Sequence, residues 1–272
     1  MRKSNIMIAV FVSLLIVILA MVLLTCTVFV VRHISVEAAV SSDLINEEDI
    51  RESSGIAIGR SIISINKAKS KAEIEKANPY VEVLDIVRRF PNKVIIKATV
   101  RTAIMKIASS DMTCGAIVDS SLKILEVVSY DDFLAHGATK VEGVTFDPPA
   151  LGALSLVGSK FDFSEDKKGA LLPVIASSAE EPALDLSGTS FLTFFKKIDI
   201  REDGENLRVY ITTNTGVILV LDTSLSTSIY QQLYLCNYVY TSEDTSKDLS
   251  RGYIALDKDS SVVAYKWMEN LE

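Results

Sequence analysis

The sequence predicts a membrane-anchored α+β protein with one N-terminal transmembrane helix and two domains. The first observation is an uncharged apolar run of 26 residues near the N terminus. The second is a pair of short helix signals set between alternating strand patterns in residues 34–102. The third is a series of short strands in residues 103–268, which predicts a β-rich domain with a C-terminal helix and edge strands.

The N-terminal apolar run, Ile6–Val31, has 23 hydrophobic residues among its 26 positions. A helix of this length would rise about 39 Å, which exceeds the roughly 30 Å hydrocarbon core of a bilayer. A cleavable signal peptide fits less well, because its apolar region has about 7–15 residues. A lipoprotein signal ending at Cys26 is disfavoured by Thr25. We therefore expect a transmembrane helix at residues 6–31.

The charges beside this run predict its orientation. Arg2 and Lys3 precede it, whereas Arg32 is the only Lys or Arg from residue 32 to residue 50. The positive-inside rule then keeps residues 1–5 in the cytoplasm and places the bulk of the chain outside. We expect a single-pass protein of the cell membrane.

The remaining composition argues against several classes of function. After residue 32 the chain carries 25 basic and 35 acidic residues, and nucleic-acid binding needs a basic surface instead. The two His and three Cys lack the spacing of a zinc site. Neither a G-x-G-x-x-G sequence nor a Walker A loop is present. We expect no nucleic acid, no metal and no cofactor.

Residues 34–102 predict the order β-α-α-β-β. A strand begins at Ile34, and a first helix follows at Glu47–Ser54, with Asn46 as its N-cap and Gly55 after its end. The pattern then predicts a second helix and two strands, at Lys67–Ala77, Tyr80–Arg89 and Asn92–Arg101.

Residues 103–268 predict strand pairs and one helix. The paired strands and the helix are expected at Gly115–Asp119 with Lys123–Leu125, Asn206–Thr212 with Gly216–Asp222, Ser224–Tyr240 as helix, and Gly252–Leu256 with Ser261–Trp267. Composition predicts mobile, solvated surface at Glu165–Lys168 and Ser177–Pro182. Cys114 and Cys236 are interpreted as independent structural cysteines, although a disulfide between them stays open.

A family resemblance is carried by several segments in order directly after the apolar run. They are Ile34-Ser35-Val36, Asn46 to Ile50, Ser54-Gly55-Ile56, Gly59, Pro79-Tyr80-Val81 and Arg88 to Val94. This arrangement resembles the POTRA domain of the FtsQ/DivIB cell-division proteins. The strand, hairpin, helix and two strands at the C terminus resemble the β domain of the same family.

The resemblance implies that the protein acts through binding and not as an enzyme. It implies a non-enzymatic bitopic scaffold of the bacterial divisome at the division septum. Its expected partners are FtsB/DivIC-type and FtsL-type bitopic proteins, with a septal peptidoglycan synthase as a further partner. Through them it would control septal peptidoglycan synthesis.

The expected partner-binding surface is the last strand, because a final strand is often a sheet edge that can pair with another chain. Its residues are Lys258, Asp259, Ser260, Ser261, Val262, Val263, Tyr265 and Trp267. The resemblance supports this, since residues 258–263 align with the turn and edge strand of FtsQ-type proteins. The alternative is an interior strand with Val262 and Tyr265 in the core.

A second expected surface lies on the POTRA-like domain. Arg88 and Arg89 end a strand before Phe90-Pro91, and one of them is expected to be exposed to an acidic partner or to lipid head groups. The alternative is a solvated pair whose methylenes cover the strand end.

The competing function is a membrane-anchored cell-wall hydrolase of Ser/Lys type. Ser64 with Lys67, and Ser120 with Lys123, match its Ser-x-x-Lys motif, but the accompanying Ser-Asp-Asn and Lys-Thr-Gly motifs are missing. An extracytoplasmic sensor is disfavoured because five cytoplasmic residues leave no output module.

Overall fold

The computed structural model describes residues 2–39, 44–149, 152–163, 165–179, 191–241, 252–256 and 263–266. The chain divides into two compact units, Met1–Arg101 and Thr102–Glu272. The helices are α1 Arg2–Thr27, α2 Glu47–Ser53, α3 Lys67–Ala77, α4 Tyr130–Ala135, α5 Leu171–Ala179 and α6 Ile229–Thr241. The strands of the first unit are β1 His33–Ala38, β2 Val81–Arg89 and β3 Lys93–Val100. Those of the second are β4 Met105–Ser109, β5 Cys114–Val118, β6 Ile124–Ser129, β7 Thr139–Phe146, β8 Phe195–Asp203, β9 Asn206–Thr213, β10 Ile218–Asp222, β11 Tyr253–Leu256 and β12 Val263–Lys266.

The N-terminal helix covers most of the apolar run, and its large side chains, such as Phe11 and Leu15, are exposed. Counting only residues whose side chains are described, no helix is both long and apolar enough to cross a membrane. The helix ends at Thr27, before the run does. Val31 is instead fully buried in the first unit, where its N–H donates to the Arg60 carbonyl at 2.8 Å. The first unit thus incorporates the end of the predicted membrane segment.

The first unit has the predicted order β-α-α-β-β. Its sheet has the order β1-β3-β2, with β1 parallel and β2 antiparallel to β3. Helix α2 packs against β1 and α3 against β2, so the apolar side chains of both helices meet those of the sheet. The core contains Val31, Val36, Ile50, Ile62, Ile74, Val81, Val83, Ile86, Val94, Ile96 and Ala98.

The predicted helix caps are confirmed. The Asn46 side chain accepts the Glu48 N–H at 3.0 Å and so satisfies one of the unpaired donors in the first turn of α2. After Ser54, Gly55 has φ +65°, which is the left-handed conformation that ends helices and that glycine adopts without a Cβ clash.

Glu75 connects α3 to β2 and to the residue that follows β3. Its carboxylate accepts the Val83 N–H at 3.0 Å and lies 3.2 Å from the Arg101 guanidinium. The side chains of Glu75 and Arg101 are only 12% and 11% exposed. A buried carboxylate is stable in the fold only while such partners replace its hydration.

The loss of this buried carboxylate should destabilise the first unit. We expect Glu75→Ala to lower the free energy of unfolding by about 2–4 kcal/mol, because it leaves the Val83 donor and the Arg101 charge without this acceptor. Urea unfolding monitored by circular dichroism measures the change. The control is Glu73→Ala, since Glu73 is more exposed and its distance to Lys69 is 3.7 Å. Equal losses in the two variants would contradict the assignment.

The second unit is built on one nine-stranded sheet with the order β12-β11-β10-β9-β8-β7-β4-β5-β6. Strand β7 pairs in parallel with both β4 and β8, whereas β8 to β10 pair antiparallel. Helices α5 and α6 pack together, and their Leu172, Ile175, Leu233 and Cys236 join the main core. Near the other end of the sheet, Phe133 of α4 lies directly against Gly115 of β5.

The structure corrects the prediction of solvated surface at Ser177–Pro182. Residues up to Ala179 belong to α5, and both Ser178 and Ala179 are buried. The composition of Ser, Glu and Pro concealed a helical repeat, since Leu172, Ile175, Ala176 and Ala179 recur at spacings of three, one and three. The remaining residues of that prediction lie outside the described residues. The C-terminal helix begins at Ile229, five residues later than predicted.

The predicted hairpin at residues 115–125 forms with an unusual turn. Asp119 Oδ1 accepts the N–H groups of Ser121 and Lys123 at 2.9 and 2.8 Å. Leu122 has φ +64° where glycine is the usual choice. Its side chain is 1% exposed, so burial offsets a left-handed backbone cost of about 1–2 kcal/mol.

Gly143 permits the close pairing of β7 with β8. It has φ +85°, and a Cβ at this position would lie 2.1 Å from the Ile200 carbonyl oxygen. We expect Gly143→Ala to lower the free energy of unfolding by at least about 2 kcal/mol, because it adds a left-handed strain and a backbone clash. Gly137→Ala is the matched control, since nothing lies within 4 Å of its added Cβ. Thermal unfolding measures the stability of both variants. A Gly143→Ala variant as stable as the parent protein would contradict this packing.

Candidate functional site

Strand β12, Val263–Lys266, lies at one end of the sheet order. Among the described strands its neighbour is β11, with which it pairs antiparallel from Leu256–Val263 to Tyr253–Lys266. A strand in this position has alternate N–H and C=O groups directed away from the sheet. Of the predicted partner-binding residues, Val263 and Tyr265 lie in β12. Lys258, Asp259, Ser260, Ser261, Val262 and Trp267 lie outside the described residues.

Helix α6 positions this end of the sheet, because it packs against β10, β11 and β12. Gln232 is fully buried and joins the helix to the end of β10. Its side chain accepts the Asp222 N–H and donates to the Asp222 carbonyl, both at 2.8 Å. Cys236 is also buried, 3.8 Å from the Ile254 carbonyl of β11. Burial raises the pKa of its thiol to about 12, so Cys236 has a packing role.

The opposite face of α6 carries exposed tyrosines that the sequence analysis did not identify. Tyr230, Tyr234 and Tyr238 recur every four residues, with exposures of 36%, 43% and 68%. The rings of Tyr230 and Tyr234 are 6.5 Å apart. A second stripe of period four, offset from the buried one, was the available signal. Exposed aromatic stripes are typical of protein interfaces.

Arg88 and Arg89 have different environments at the end of β2. Arg88 is half-buried, and its guanidinium donates to the Ile65 carbonyl, which lies just before α3. Arg89 is exposed. Arg88 therefore supports the fold, and Arg89 is the member of the pair that a partner could reach.

In the first Ser-x-x-Lys pair, both side chains are held in structural contacts. Ser64 Oγ donates to the Ser61 carbonyl at 2.9 Å, and Lys67 Nζ lies 3.2 Å from Asp85. The hydrogen bond from Lys67 lowers the pKa of Asp85, so the Lys67 ammonium is held by this carboxylate. Ser120 lies in the β5–β6 turn.

The described part of the chain contains no cluster of acidic, His and Cys side chains that could hold a metal ion. Cys114, in β5, and Cys236 are free thiols.

The two arginines should respond differently to truncation. We expect Arg88→Ala to lower the free energy of unfolding by about 1–2 kcal/mol, because the half-buried Ile65 carbonyl loses a charged donor. Arg89→Ala, the adjacent control, should stay within about 0.5 kcal/mol of the parent protein. Chemical denaturation measures both. A larger loss in Arg89→Ala would reverse the assignment.

Comparison with known proteins identifies the first unit. Residues 29–99 match the family model of the POTRA domain, FtsQ-type. The match begins at Phe29, in agreement with the burial of Val31. No curated protein matches the chain. A POTRA domain of this type indicates a scaffold role in cell division, and the match supports the assignment of this chain to the FtsQ/DivIB family.

Proposed function

We propose that the protein is a non-enzymatic bitopic scaffold of the divisome that recruits FtsB/DivIC-type and FtsL-type partners. Through them, and through a septal peptidoglycan synthase, it controls septal peptidoglycan synthesis. The observation that carries the proposal is an edge strand, β12, beside an aromatic helix face, in a chain with an FtsQ-type POTRA domain.

The proposed organisation follows the chain from the N terminus. Residues 1–5 are cytoplasmic, and residues 6–27, the apolar part of α1, anchor the protein in the cell membrane. Residues 34–102 form the recruiting POTRA domain, extended at its start by the buried Val31. Residues 103–268 form the β domain, which meets the partners at the septum on the outer side of the membrane.

Strand addition explains how the β domain would bind a partner. An extended segment of the FtsB/DivIC-type protein pairs with the outward backbone groups of β12, which supplies affinity through main-chain hydrogen bonds. Residues 258–262 and Trp267 belong to the same proposed surface. Lys266 adds a charge that discourages pairing with unrelated strands. We add the exposed tyrosines of α6 as a separate contact of the same partner, since this helix packs against β12 through its other face.

The POTRA domain supplies the second proposed contact. Arg89 is exposed at the end of β2 and would attract an acidic partner or lipid head groups. Arg88 contributes indirectly, because its contact with Ile65 holds the strand end against the start of α3.

Proline substitutions test the proposed strand addition. Val263 and Ala264 are adjacent, so one N–H faces β11 and the other faces outward. Proline removes the N–H in each case. We expect the outward variant to lose co-purification with the FtsB/DivIC-type protein of the same genome, while its unfolding temperature stays unchanged.

The inward proline variant should instead lower the unfolding temperature, because it loses a hydrogen bond to β11. The unfolding temperatures therefore show which of the two residues directs its N–H towards β11. Val263→Thr is the matched control, since it keeps the N–H and the branched shape, and it should bind like the parent chain. The proposal fails if both proline variants bind normally, or if binding is lost only together with folding.

A further inference from the structure

The β domain also contains a groove to which no function has been assigned, and this groove is separated from β12 in the sheet order. Its volume is about 840 Å³, and it is lined where β4, β7 and β8 begin. Four lysines line it: Lys106, Lys140, Lys196 and Lys197. Neither Asp nor Glu is among the lining residues that the structure describes. The groove is therefore a concentrated positive site in a chain of net charge −7.

Three of these lysines form one row across adjacent strands. Lys106 of β4 is the register partner of Lys140 of β7, which is in turn the partner of Lys197 of β8. Neighbouring strands lie about 4.8 Å apart, so the three stems start close together. Like charges directly opposite each other in a sheet are destabilising. The row therefore needs compensation.

The compensation for Lys106 comes from a helix end. Its ammonium donates to the carbonyls of Phe133, Leu134 and His136 at 2.7, 3.1 and 2.6 Å, and these carbonyls lie at the C-terminal end of α4. Burial, and then the charge of Lys140, lower the pKa of Lys106. All three of its donors are occupied, so Lys106 shapes the groove and does not contribute a donor to a ligand.

The other lysines are compensated incompletely. Glu142 lies 2.7 Å from Lys140 and 3.1 Å from Lys197, so one carboxylate serves two ammonium groups. The hydrogen bond from Lys140 is the main cause of the lowered pKa of Glu142. Asp199 is 3.9 Å from Lys197, but it is closer to Arg201, at 2.7 Å. Lys196 adds a further exposed charge.

Apolar side chains complete the wall and narrow the choice of ligand. Ile104, Leu134 and Phe195 line the same space as the lysines. An inorganic phosphate would fill only a small part of this volume and would leave the apolar wall uncovered. An extended peptide with alternating acidic and apolar residues fits better, because its carboxylates recur about every 6.6–7 Å on one side. The long lysine stems can reach that spacing.

We propose that this groove binds an acidic peptide segment of a partner protein. Its carboxylates pair with Lys140, Lys197 and Lys196, and its apolar side chains cover Ile104 and Leu134, of which Leu134 is exposed. The site is separate from the β12 edge and does not depend on the divisome assignment.

A binding measurement on the full chain in detergent tests the proposal. The probe is a dye-labelled peptide of alternating glutamate and valine with blocked ends, followed by fluorescence anisotropy. We expect Lys140→Gln with Lys197→Gln to weaken binding about five- to twentyfold, since two partly exposed ion pairs are lost. The control is Lys160→Gln with Lys167→Gln, an equal charge change at exposed lysines of the same unit outside the groove, and it should bind normally.

A second variant protects the test against a folding defect. Lys196→Gln leaves the Glu142 contacts intact and should weaken binding about two- to fivefold. A peptide of alternating glutamine and valine serves as the uncharged control probe. The proposal is overturned if the parent chain does not bind the glutamate–valine probe, or if this control probe binds equally well. It is also overturned if Lys160→Gln with Lys167→Gln weakens binding as much as the groove substitutions do. Complete displacement of the probe by inorganic phosphate, at a constant ionic strength, would also overturn it in favour of a simple anion site.

Discussion

The parallel pairing of β7 with both β4 and β8 determines the arrangement of the second unit. Parallel strands cannot be joined by tight turns, so the chain must cross over before and after β7. The first crossover contains β5, β6 and α4, and the second contains α5. Because β4, β7 and β8 run in the same direction, these crossovers bring the first residues of all three strands to the same side of the sheet. They also leave the antiparallel series β8 to β10, and then the final strands, to extend the sheet towards β12.

The two proposed sites in this unit are different products of that constraint. At β12 the backbone itself is the binding element, so side-chain identity matters mainly for selectivity. In the groove the backbone is already paired, and binding depends on charges that the parallel register brings into one row. One site would consequently be insensitive to salt, whereas the other would weaken as ionic strength rises.

Local chemistry made much of the first unit predictable, and long-range pairing made the second unit difficult. Asn46 and Gly55 are cap residues whose effect is confined to one helix turn, so α2 was predicted almost to the residue. The row of Lys106, Lys140 and Lys197 depends on register between strands more than 30 residues apart, which periodicity alone cannot supply. Strand β4 shows no alternation because nearly all of its residues are buried. Strand β7 alternates between buried and more exposed residues, but the pattern shifts at Gly143, which breaks it into two short pieces. The exposed tyrosines of α6 had a local signal, but it was overlooked beside the buried stripe.

The short passage between α1 and the first unit has a mechanical consequence. Only Val28 separates the helix end at Thr27 from Phe29, whose carbonyl accepts the Ile62 N–H at 2.9 Å. For a protein anchored through α1, the linker between the membrane helix and the POTRA domain is then too short to let the domain move independently of the helix. Each residue of an α-helix advances the chain by about 100° around the axis, so the number of residues in the helix sets which face of α1 lies below a given surface of the domain. The membrane helix would then orient the POTRA domain as well as attach it. A partner whose own helix packs against α1 would meet one fixed surface of the domain instead of a freely rotating one.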